Sequence, residues 1–168
     1  MMMTKYPTVD DDDNIIGETS KDEAYNKGLQ LRSVQIFLFD KEGRIFIQKR
    51  SHKKKRFPDY FCASVAGHVE PYESYLSAAR RELKEELGVD GEIKFLTTEK
   101  TPIGSGQFAM MAHFIARTSE AISLQAEEIT SGEFYTIREI EDLIKGGSQF
   151  TPSFLYYFDK IKKGNLEI

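Results

Sequence analysis

The sequence predicts a mixed α/β fold in which helices cover both faces of a mixed β-sheet. Two observations predict it: segments of strand periodicity are interspersed with segments of helical periodicity, and no internal repeat is visible along the chain. The 168 residues fit one domain, and 40% hydrophobic with 30% charged residues is typical of a packed core.

Residues 1–20 have little periodicity. They contain the run Asp10-Asp11-Asp12-Asp13, which is typical of a mobile arm or a short edge element, and we assign them no chemistry. The expected organisation is therefore an N-terminal arm or edge element at 1–30, followed by one folded domain at 31–168.

A β-hairpin is predicted next. Residues Val34 to Phe39 are rich in β-branched and aromatic types, Asp40 to Gly43 supply turn residues, and Arg44 to Lys49 alternate in polarity. A basic loop at Ser51 to Pro58 and a third extended stretch at Tyr60 to Ala66 follow.

The clearest helix lies between Glu73 and Gly88. Its apolar residues recur at spacings of three and four and would form one stripe, and Gly88 is a typical helix end. The predicted stripe consists of Leu76, Ala79, Leu83 and Leu87.

The second half of the chain continues the alternation. Strands are predicted at Glu92 to Thr98, Gln107 to Ala116 and Glu133 to Ile137, the first two joined by a turn at Pro102 to Gly106. A short helix is predicted at Arg138 to Lys145. Thr151-Pro152 would begin a last amphipathic helix that buries Phe154, Leu155, Phe158 and Ile161.

Composition excludes several classes of function. A formal net charge of −4 argues against a nucleic-acid binder and favours a small substrate. No apolar run of about 18 residues occurs, and the N-terminus is acidic, so we expect no membrane span, no secretory signal and a cytoplasmic protein. Cys62 is the single cysteine, which excludes an internal disulfide, and it is interpreted as a small buried hydrophobe.

Three glutamates on the clearest helix are brought together by helical geometry. Glu82 and Glu86 lie one turn apart, and Glu85 lies beside them. Like charges at this spacing repel, and a hard divalent cation such as Mg²⁺, which takes oxygen ligands, would offset the repulsion. The alternative is a solvated face whose acids are neutralised by Arg80, Arg81 and Lys84.

The residues around these glutamates have a specific register. Gly67 is followed six residues later by Glu73, and then come Arg81-Glu82-Leu83, Glu85-Glu86 and Gly88-Val89. This pattern resembles the Nudix hydrolase signature, and every specified position is matched. Further similarity, to the Nudix subgroup related to isopentenyl-diphosphate isomerase, lies in the stretch 66–70 and in Glu127-Glu128 followed by Gly132-Glu133-Phe134, and it covers residues 31–145.

The resemblance implies a Nudix α/β/α sandwich and a set of residue roles. Glu82, Glu85 and Glu86 would hold one or more Mg²⁺ or Mn²⁺ ions, with the backbone carbonyl of Gly67 as a further ligand. Metals held in this way bridge phosphate oxygens and activate a bound water. Glu73 and Arg81 are expected to pair and brace the loop against the helix. The candidates for the general base are Glu82, Glu85, Glu127 and Glu128.

Two other features are assigned to the site. His68 follows Gly67 directly and is carried as a second-tier site residue, because the isomerases have a metal ligand there; His52 and His113 are expected to be structural or surface residues. The basic run in the loop could steer an anionic substrate towards the site. This run consists of Lys53, Lys54, Lys55 and Arg56.

The predicted function is metal-dependent hydrolysis of a phosphoanhydride bond. The expected substrate is a small phosphorylated molecule, either a nucleoside diphosphate linked to another group or a related diphosphate. A homodimer is one possible oligomeric state. One alternative is an isopentenyl-diphosphate isomerase-like enzyme; the other is a non-catalytic nucleotide-binding regulatory module, since fold does not fix function. The isomerases have a cysteine where this chain has Ala66 and a histidine where it has Leu31, and Cys62 lies about 13 Å from Ala66 along an extended chain.

Overall fold

The computed structural model describes residues 2–164; Met1 of the predicted arm and residues 165–168 of the predicted domain lie outside the described residues. The elements in chain order are β1 (Tyr6–Val9), β2 (Ile15–Thr19), α1 (Lys21–Lys27), β3 (Arg32–Phe39), β4 (Ile45–Arg50), β5 (Phe61–Cys62), β6 (Val65–His68), α2 (Tyr75–Leu87), β7 (Glu92–Gly104), β8 (Gln107–Arg117), β9 (Ile129–Tyr135), α3 (Ile137–Lys145) and α4 (Pro152–Lys162).

The main sheet is mixed, as predicted. Its strand order is β5-β4-β3-β8-β7, with β6 pairing to β3 and β9 pairing to β4. Strands β3 and β8 run parallel, and the other pairs are antiparallel. Because β3 lies inside the sheet, its residues are buried on both faces, which explains its nearly continuous apolar sequence.

Helices cover both faces of this sheet. Val34, Ile36 and Leu38 of β3 point into a core cluster that also contains the apolar side of α2. Phe37 and Phe39 point the other way, into a cluster that contains residues of α3 and α4. Because side chains alternate between the two faces of β3, α2 forms the layer on one face of the sheet, and α3 with α4 forms the layer on the other. This arrangement confirms the predicted sandwich.

The predicted third extended stretch is divided into two strands. Strand β5 pairs with β4, whereas β6 pairs with β3. The chain changes neighbour at Ser64, whose buried hydroxyl accepts a hydrogen bond from the Leu38 amide at 2.7 Å and donates one to the Phe46 carbonyl at 2.6 Å. The Ser64 side chain therefore pairs one backbone group on each of β3 and β4, so the break between β5 and β6 leaves neither group without a hydrogen bond.

The largest differences between predicted and observed boundaries are in β7 and β9. Strand β7 continues to Gly104, so the predicted turn at 102–106 is reduced to Ser105 and Gly106. Strand β9 begins at Ile129, because six of its residues pair with β4 despite the weak strand propensity of Ser131 and Gly132. It ends at Tyr135, since Thr136 caps α3.

The N-terminal segment is more ordered than an arm. Strands β1 and β2 form a hairpin, and Asp10 closes its turn by accepting hydrogen bonds from the Asp12 and Asn14 amides at 3.0 and 2.9 Å. Helix α1, which the sequence analysis missed, is capped by Ser20 and ends at left-handed Gly28. Its Ala24 packs in a small cluster with Tyr6 and Leu31.

The apolar stripe of α2 is shifted from its predicted position. Leu76 is 40% exposed, whereas Ala78, Ala79, Leu83 and Leu87 are buried. Glu86 is also buried, so one of the three signature glutamates lies on the core side of the helix.

Helix α4 begins at Pro152, as predicted, and buries Phe154, Phe158 and Ile161. Thr151 is the N-cap residue of α4, although its side chain makes no capping hydrogen bond, and Leu155 is 40% exposed, so the predicted burial of Leu155 is wrong. Within residues 2–164, none of the helices has both the length and the apolar character needed to traverse a bilayer.

Candidate active site

Helix α2 presents the signature glutamates at a fixed position beside the sheet. Its first turn is held by a capping box in which Ser74 accepts from the Ser77 amide and Ser77 accepts from the Ser74 amide. Its last turn ends at Gly88, whose φ of 69° is in the left-handed region. Both ends are therefore defined locally, and the rotation of the helix is fixed by its buried alanines and leucines.

Glu86 is the most deeply buried of the three acids, with 7% of its surface exposed. Gln48 of β4 donates a hydrogen bond to its Oε2 at 3.0 Å. Burial, together with the neighbouring Glu82 carboxylate, raises the pKa of Glu86 to about 8. A carboxyl group in such a position is stabilised in its charged form by a bound cation.

Glu82 lies directly against Gly67. A Cβ atom at position 67 would come within 2.2 Å of the Glu82 carboxyl carbon, so any side chain there would displace the carboxylate. Burial raises the pKa of Glu82 as well. The glycine of the signature is therefore required by close packing, and it places the backbone of β6 beside the carboxylate.

Arg81 connects the loop before α2 to two of the acids. Its guanidinium donates to both Glu73 carboxylate oxygens at 2.8 and 2.9 Å and to the His68 carbonyl at 3.0 Å. It also donates to Glu82 at 2.8 Å and to Glu85 at 3.2 Å. These carboxylates raise the pKa of Arg81, and the Arg81 guanidinium in turn lowers the pKa of Glu73. The pair of Glu73 and Arg81 thus has the geometry expected of a brace.

The three acids do not converge on one point in this conformation. Glu82 and Glu85 both turn towards Arg81, whereas Glu86 turns towards Gln48. Among residues 2–164, no group of three or more His, Cys, Asp or Glu side chains is placed so that it could hold a metal ion. The available donors are nevertheless hard oxygens on one buried, one partly buried and one exposed acid, which fits Mg²⁺ or Mn²⁺ better than a soft metal.

His68 is held in an aromatic niche that the sequence did not predict. The Tyr25 hydroxyl lies 2.6 Å from its Nε2, and the rings of Tyr6 and Tyr25 approach it edge-on at 5.8 and 5.9 Å. Burial and nearby cations lower the pKa of His68 to about 3, so its ring is neutral near pH 7. His113 is buried and stacked on Tyr157, and His52 is exposed, which agrees with the structural or surface roles expected of them.

A cavity of about 330 Å³ opens over these residues. Glu82, Glu85, Glu86 and Glu128 line it, so three of the four candidate bases border the same space. Glu127 does not; it forms an exposed ion pair with Lys53 at 3.0 Å. Of the four candidate bases, Glu127 is therefore the one that does not line the cavity.

The basic run is divided between the cavity and solvent. Lys54 and Arg56 line the cavity, and Lys54 pairs with Glu128. Lys53 and Lys55 instead form exposed pairs with Glu127 and with Asp22 of α1.

Several lining residues, including the following four, were missed by the sequence analysis. Lys21 and Tyr25 come from α1, Arg50 from the end of β4, and Gln125 from the loop before β9. A local signal for α1 existed, because Ser20 and Glu23 have the spacing of a capping box and Gly28 follows. Arg50 had no such signal, since it lines the cavity through the pairing of β4.

Cys62 and Ala66 border the same cavity from β5 and β6. Burial raises the pKa of the Cys62 thiol to about 12, so the sulfur is protonated near neutral pH. Leu31, at the position where the isomerases have a histidine, is buried and also borders the cavity.

The structure has a mixed sheet between two helical layers, and its acidic helix packs against a strand that contains the signature glycine. This is the class of fold that the signature implies. Residues 29–158 match the family model of the NUDIX domain. The chain belongs to the Nudix family.

Three relatives illustrate this membership. The Nudix hydrolase SCO1686 of Streptomyces coelicolor is 33% identical over 92% of this chain and 86% of its own. The prenyl-diphosphate phosphatase of Methanosarcina mazei is 36% identical over 95% of both chains. An isopentenyl-diphosphate Delta-isomerase of Serratia proteamaculans is 41% identical, but over 51% of this chain and 48% of its own.

The fold is also similar to solved structures. The crystal structure of DR0079 from Deinococcus radiodurans superposes with a TM-score of 0.81, covering 93% of this chain and 98% of that one at 24% identity. This likeness supports the architecture.

Proposed function

We propose that the protein hydrolyses the phosphoanhydride bond of a small isoprenoid diphosphate, with Mg²⁺ or Mn²⁺ as cofactor. The observation that carries the proposal is that one cavity joins the glutamates of α2, a set of cations and an apolar wall. A diphosphate needs the first two, and a short alkyl group needs the third.

The charged part of the cavity suits a diphosphate group. Lys21, Arg50 and Lys54 line it together with the signature glutamates, whereas Arg56 is held by Tyr25, Gln107 and the Ile103 carbonyl. Arginine and lysine bind phosphate oxygens directly, and a divalent ion held by the glutamates would offset part of the remaining phosphate charge. Arg50 also donates to the carbonyls of Arg56 and Phe57 at 3.0 to 3.2 Å, which holds the basic loop over the cavity.

The remaining wall is mainly apolar. It contains Leu29, Leu31, Ile103, Phe108 and Met111. A cavity of about 330 Å³ is at the small end of the range of roughly 300–1,000 Å³ for ligand sites, so a short alkyl chain fits it better than a base, a ribose and a second group. The relative named a prenyl-diphosphate phosphatase, which matches 95% of both chains, supports the same substrate class.

Each group in the site has a role in this reaction. When bound, the metal supplies Lewis-acid stabilisation of the phosphate charge and a more acidic water. The cations orient the diphosphate. Gly67 and Glu86 keep the oxygens that would hold the metal in place. Glu82, Glu85 or Glu128 accepts the proton of the attacking water. Water adds across the P–O–P bridge, and the products are the isoprenoid monophosphate and inorganic phosphate.

The alternatives have less support in the cavity. An isomerase-like reaction would use the positions of Ala66 and Leu31, neither of which carries a proton donor or ligand, and Cys62 stays protonated. A non-catalytic regulatory module would need no buried, mutually repelling acids at Glu82 and Glu86. A nucleoside diphosphate linked to another group stays as the second substrate class.

One assay tests the proposal. Phosphate or monophosphate release with Mg²⁺ or Mn²⁺ is measured for isoprenoid diphosphates, nucleotide sugars, dinucleotides and nucleoside triphosphates. We expect the highest kcat/KM for a short isoprenoid diphosphate. Turnover of nucleotide substrates alone would replace isoprenoid diphosphates by nucleotides as the substrate class. Formation of the allylic isomer would favour the isomerase-like enzyme. No turnover of any substrate would favour the non-catalytic binding module.

The metal assignment has a matched pair of variants. Glu86→Gln removes one carboxylate from the site, and we expect kcat to fall at least about a hundredfold. Glu92→Gln makes the same change at an exposed position on β7 and should leave kcat unchanged. If the Glu86→Gln variant keeps kcat within about threefold of the parent, the metal assignment is wrong.

A further inference from the structure

A second cavity of about 290 Å³ lies beside the first. Both cavities are lined by Leu29 and Phe108, whose side chains are 38% and 40% exposed. Beyond these two residues the second cavity is lined by the apolar Val9 and Ile16 of the N-terminal hairpin and by polar residues that include Asp11, Gln30 and Lys100. Apolar surface thus continues from the wall of the first cavity into the second.

Three side chains from distant parts of the chain form a bridge at the boundary between the cavities. Arg56 lies over the Tyr25 ring at 4.1 Å, and it donates to Gln107 Oε1 at 3.2 Å and to the Ile103 carbonyl at 2.8 Å. Gln107 completes the bridge by donating to the Tyr25 carbonyl at 2.6 Å. The bridge therefore connects α1, the basic loop and the hairpin of β7 and β8.

The position of the bridge separates the two spaces. Tyr25, Arg56 and Ile103 line the first cavity, whereas Gln107 lines the second. Tyr25 is also anchored from its other end, since its hydroxyl contacts His68. A guanidinium held by a ring, an amide and a carbonyl has little freedom to move aside, so the bridge restricts the space between the two cavities.

We propose that the bridge of Tyr25, Arg56 and Gln107 limits the length of the alkyl group that the site accepts. This inference rests on the proposed function. A short isoprenoid chain ends at the bridge; a longer chain would have to pass it and lie along Leu29, Phe108 and Ile16 in the second cavity. Gln107 is the best position for a test, because it belongs to the bridge without lining the catalytic cavity.

The test compares substrates of five, ten, fifteen and twenty carbons. In the parent we expect kcat/KM to decrease with chain length. Gln107→Ala removes two contacts of the bridge and should raise the ratio of kcat/KM for fifteen over five carbons at least about tenfold, because added methylenes then gain apolar contact. Tyr25→Leu, which removes the ring under Arg56, should change the ratio in the same direction and provides a second variant if the first folds poorly.

The matched control breaks a different contact between the same two segments. Asp22 of α1 pairs with Lys55 of the basic loop at 3.0 Å, and both side chains are exposed. Asp22→Asn should leave the length ratio unchanged. If folded Gln107→Ala and Tyr25→Leu proteins hydrolyse the substrates with the parental ratio, the bridge does not set length; if the parent hydrolyses no isoprenoid diphosphate, the proposed function fails and the inference with it.

Discussion

Gly67 is the residue at which the structure gives the most direct reason for a signature position. The Glu82 carboxylate occupies the space that a side chain at position 67 would need. The first member of the signature therefore acts through packing on a carboxylate fifteen residues later in the sequence.

Gly67→Ala should consequently weaken metal binding. The added methyl group would push the Glu82 carboxylate from its place, and displacing a group of this kind typically reduces metal affinity about ten- to a hundredfold. Titration with Mn²⁺ by calorimetry measures the change, and circular dichroism checks that the variant is folded. Affinity within about threefold of the parent would contradict the packing argument.

Two other contacts show which parts of the site can be predicted from the sequence at the scale of residues. The pairing of Glu73 with Arg81 was implied by the signature, and the structure contains it. The burial of Glu86 and its contact with Gln48 could not be predicted, because they depend on how β4 lies under the helix.

At the scale of elements, the capping box of α2 is expected to stabilise the fold. Ser74→Ala removes the acceptor of the Ser77 amide and should lower the free energy of unfolding by about 1 kcal/mol. Urea denaturation measures this. Ser131→Ala, at an exposed position of β9, serves as the control and should change stability by less than about 0.5 kcal/mol. Equal stability of the two variants would show that the cap contributes little.

His113 connects β8 to α4, and its environment predicts a pH dependence. It is buried between Gln35, Thr101 and Tyr157, and burial lowers its pKa from 6.5 to about 3. Between these pH values the unfolded chain binds a proton that the folded chain does not, so the free energy of unfolding decreases as pH falls from 6.5 towards 3.

The corresponding variant is His113→Gln, which has no group that titrates in this range. We expect its loss of unfolding free energy between pH 7 and pH 4.5 to be smaller than that of the parent, as measured by urea denaturation at both pH values. His52→Gln, at an exposed position, should keep the parental loss. A parental loss in His113→Gln would assign the acid sensitivity to other groups.

The elements differ in how well the sequence predicts them. Helix α2 could be predicted because its stripe, its terminal glycine and its signature are all local. Helix α1 was missed although its capping signal is local, because seven residues are too few to show a convincing period. The division of β5 from β6 could not be predicted, since Ser64 bonds to the backbones of two other strands.

At the scale of the whole molecule, the charge distribution matters more than the net charge. The chain carries a formal net charge of −4, yet Lys21, Arg50, Lys54 and Arg56 meet at one cavity. Cations that line a cavity attract an anionic substrate, whereas exposed ion pairs are screened and contribute little.

Two substitutions in the basic loop test this difference. Lys54→Gln should raise KM about tenfold and flatten the dependence of KM on salt, because Lys54 lines the cavity. Lys53→Gln removes the same charge one residue earlier, where the side chain is 56% exposed, and should change KM less than about twofold. Equal effects of the two would show that the whole loop acts as one diffuse charge.

The cavity as a whole shows where prediction from sequence ends. Its acidic side follows from one helix and one glycine, which a linear motif can record. Its other side is assembled from α1, the basic loop and the turn between β7 and β8, so it exists only once the chain is folded.

Helix α1 has a practical consequence for the boundaries of the family match. That match begins at residue 29, after Lys21 and Tyr25. A polypeptide trimmed to the matched range would retain each position of the motif and would still lack one flank of its binding pocket. For this protein, the range that the family model matches is shorter than the segment that must be expressed to keep the whole lining of the cavity.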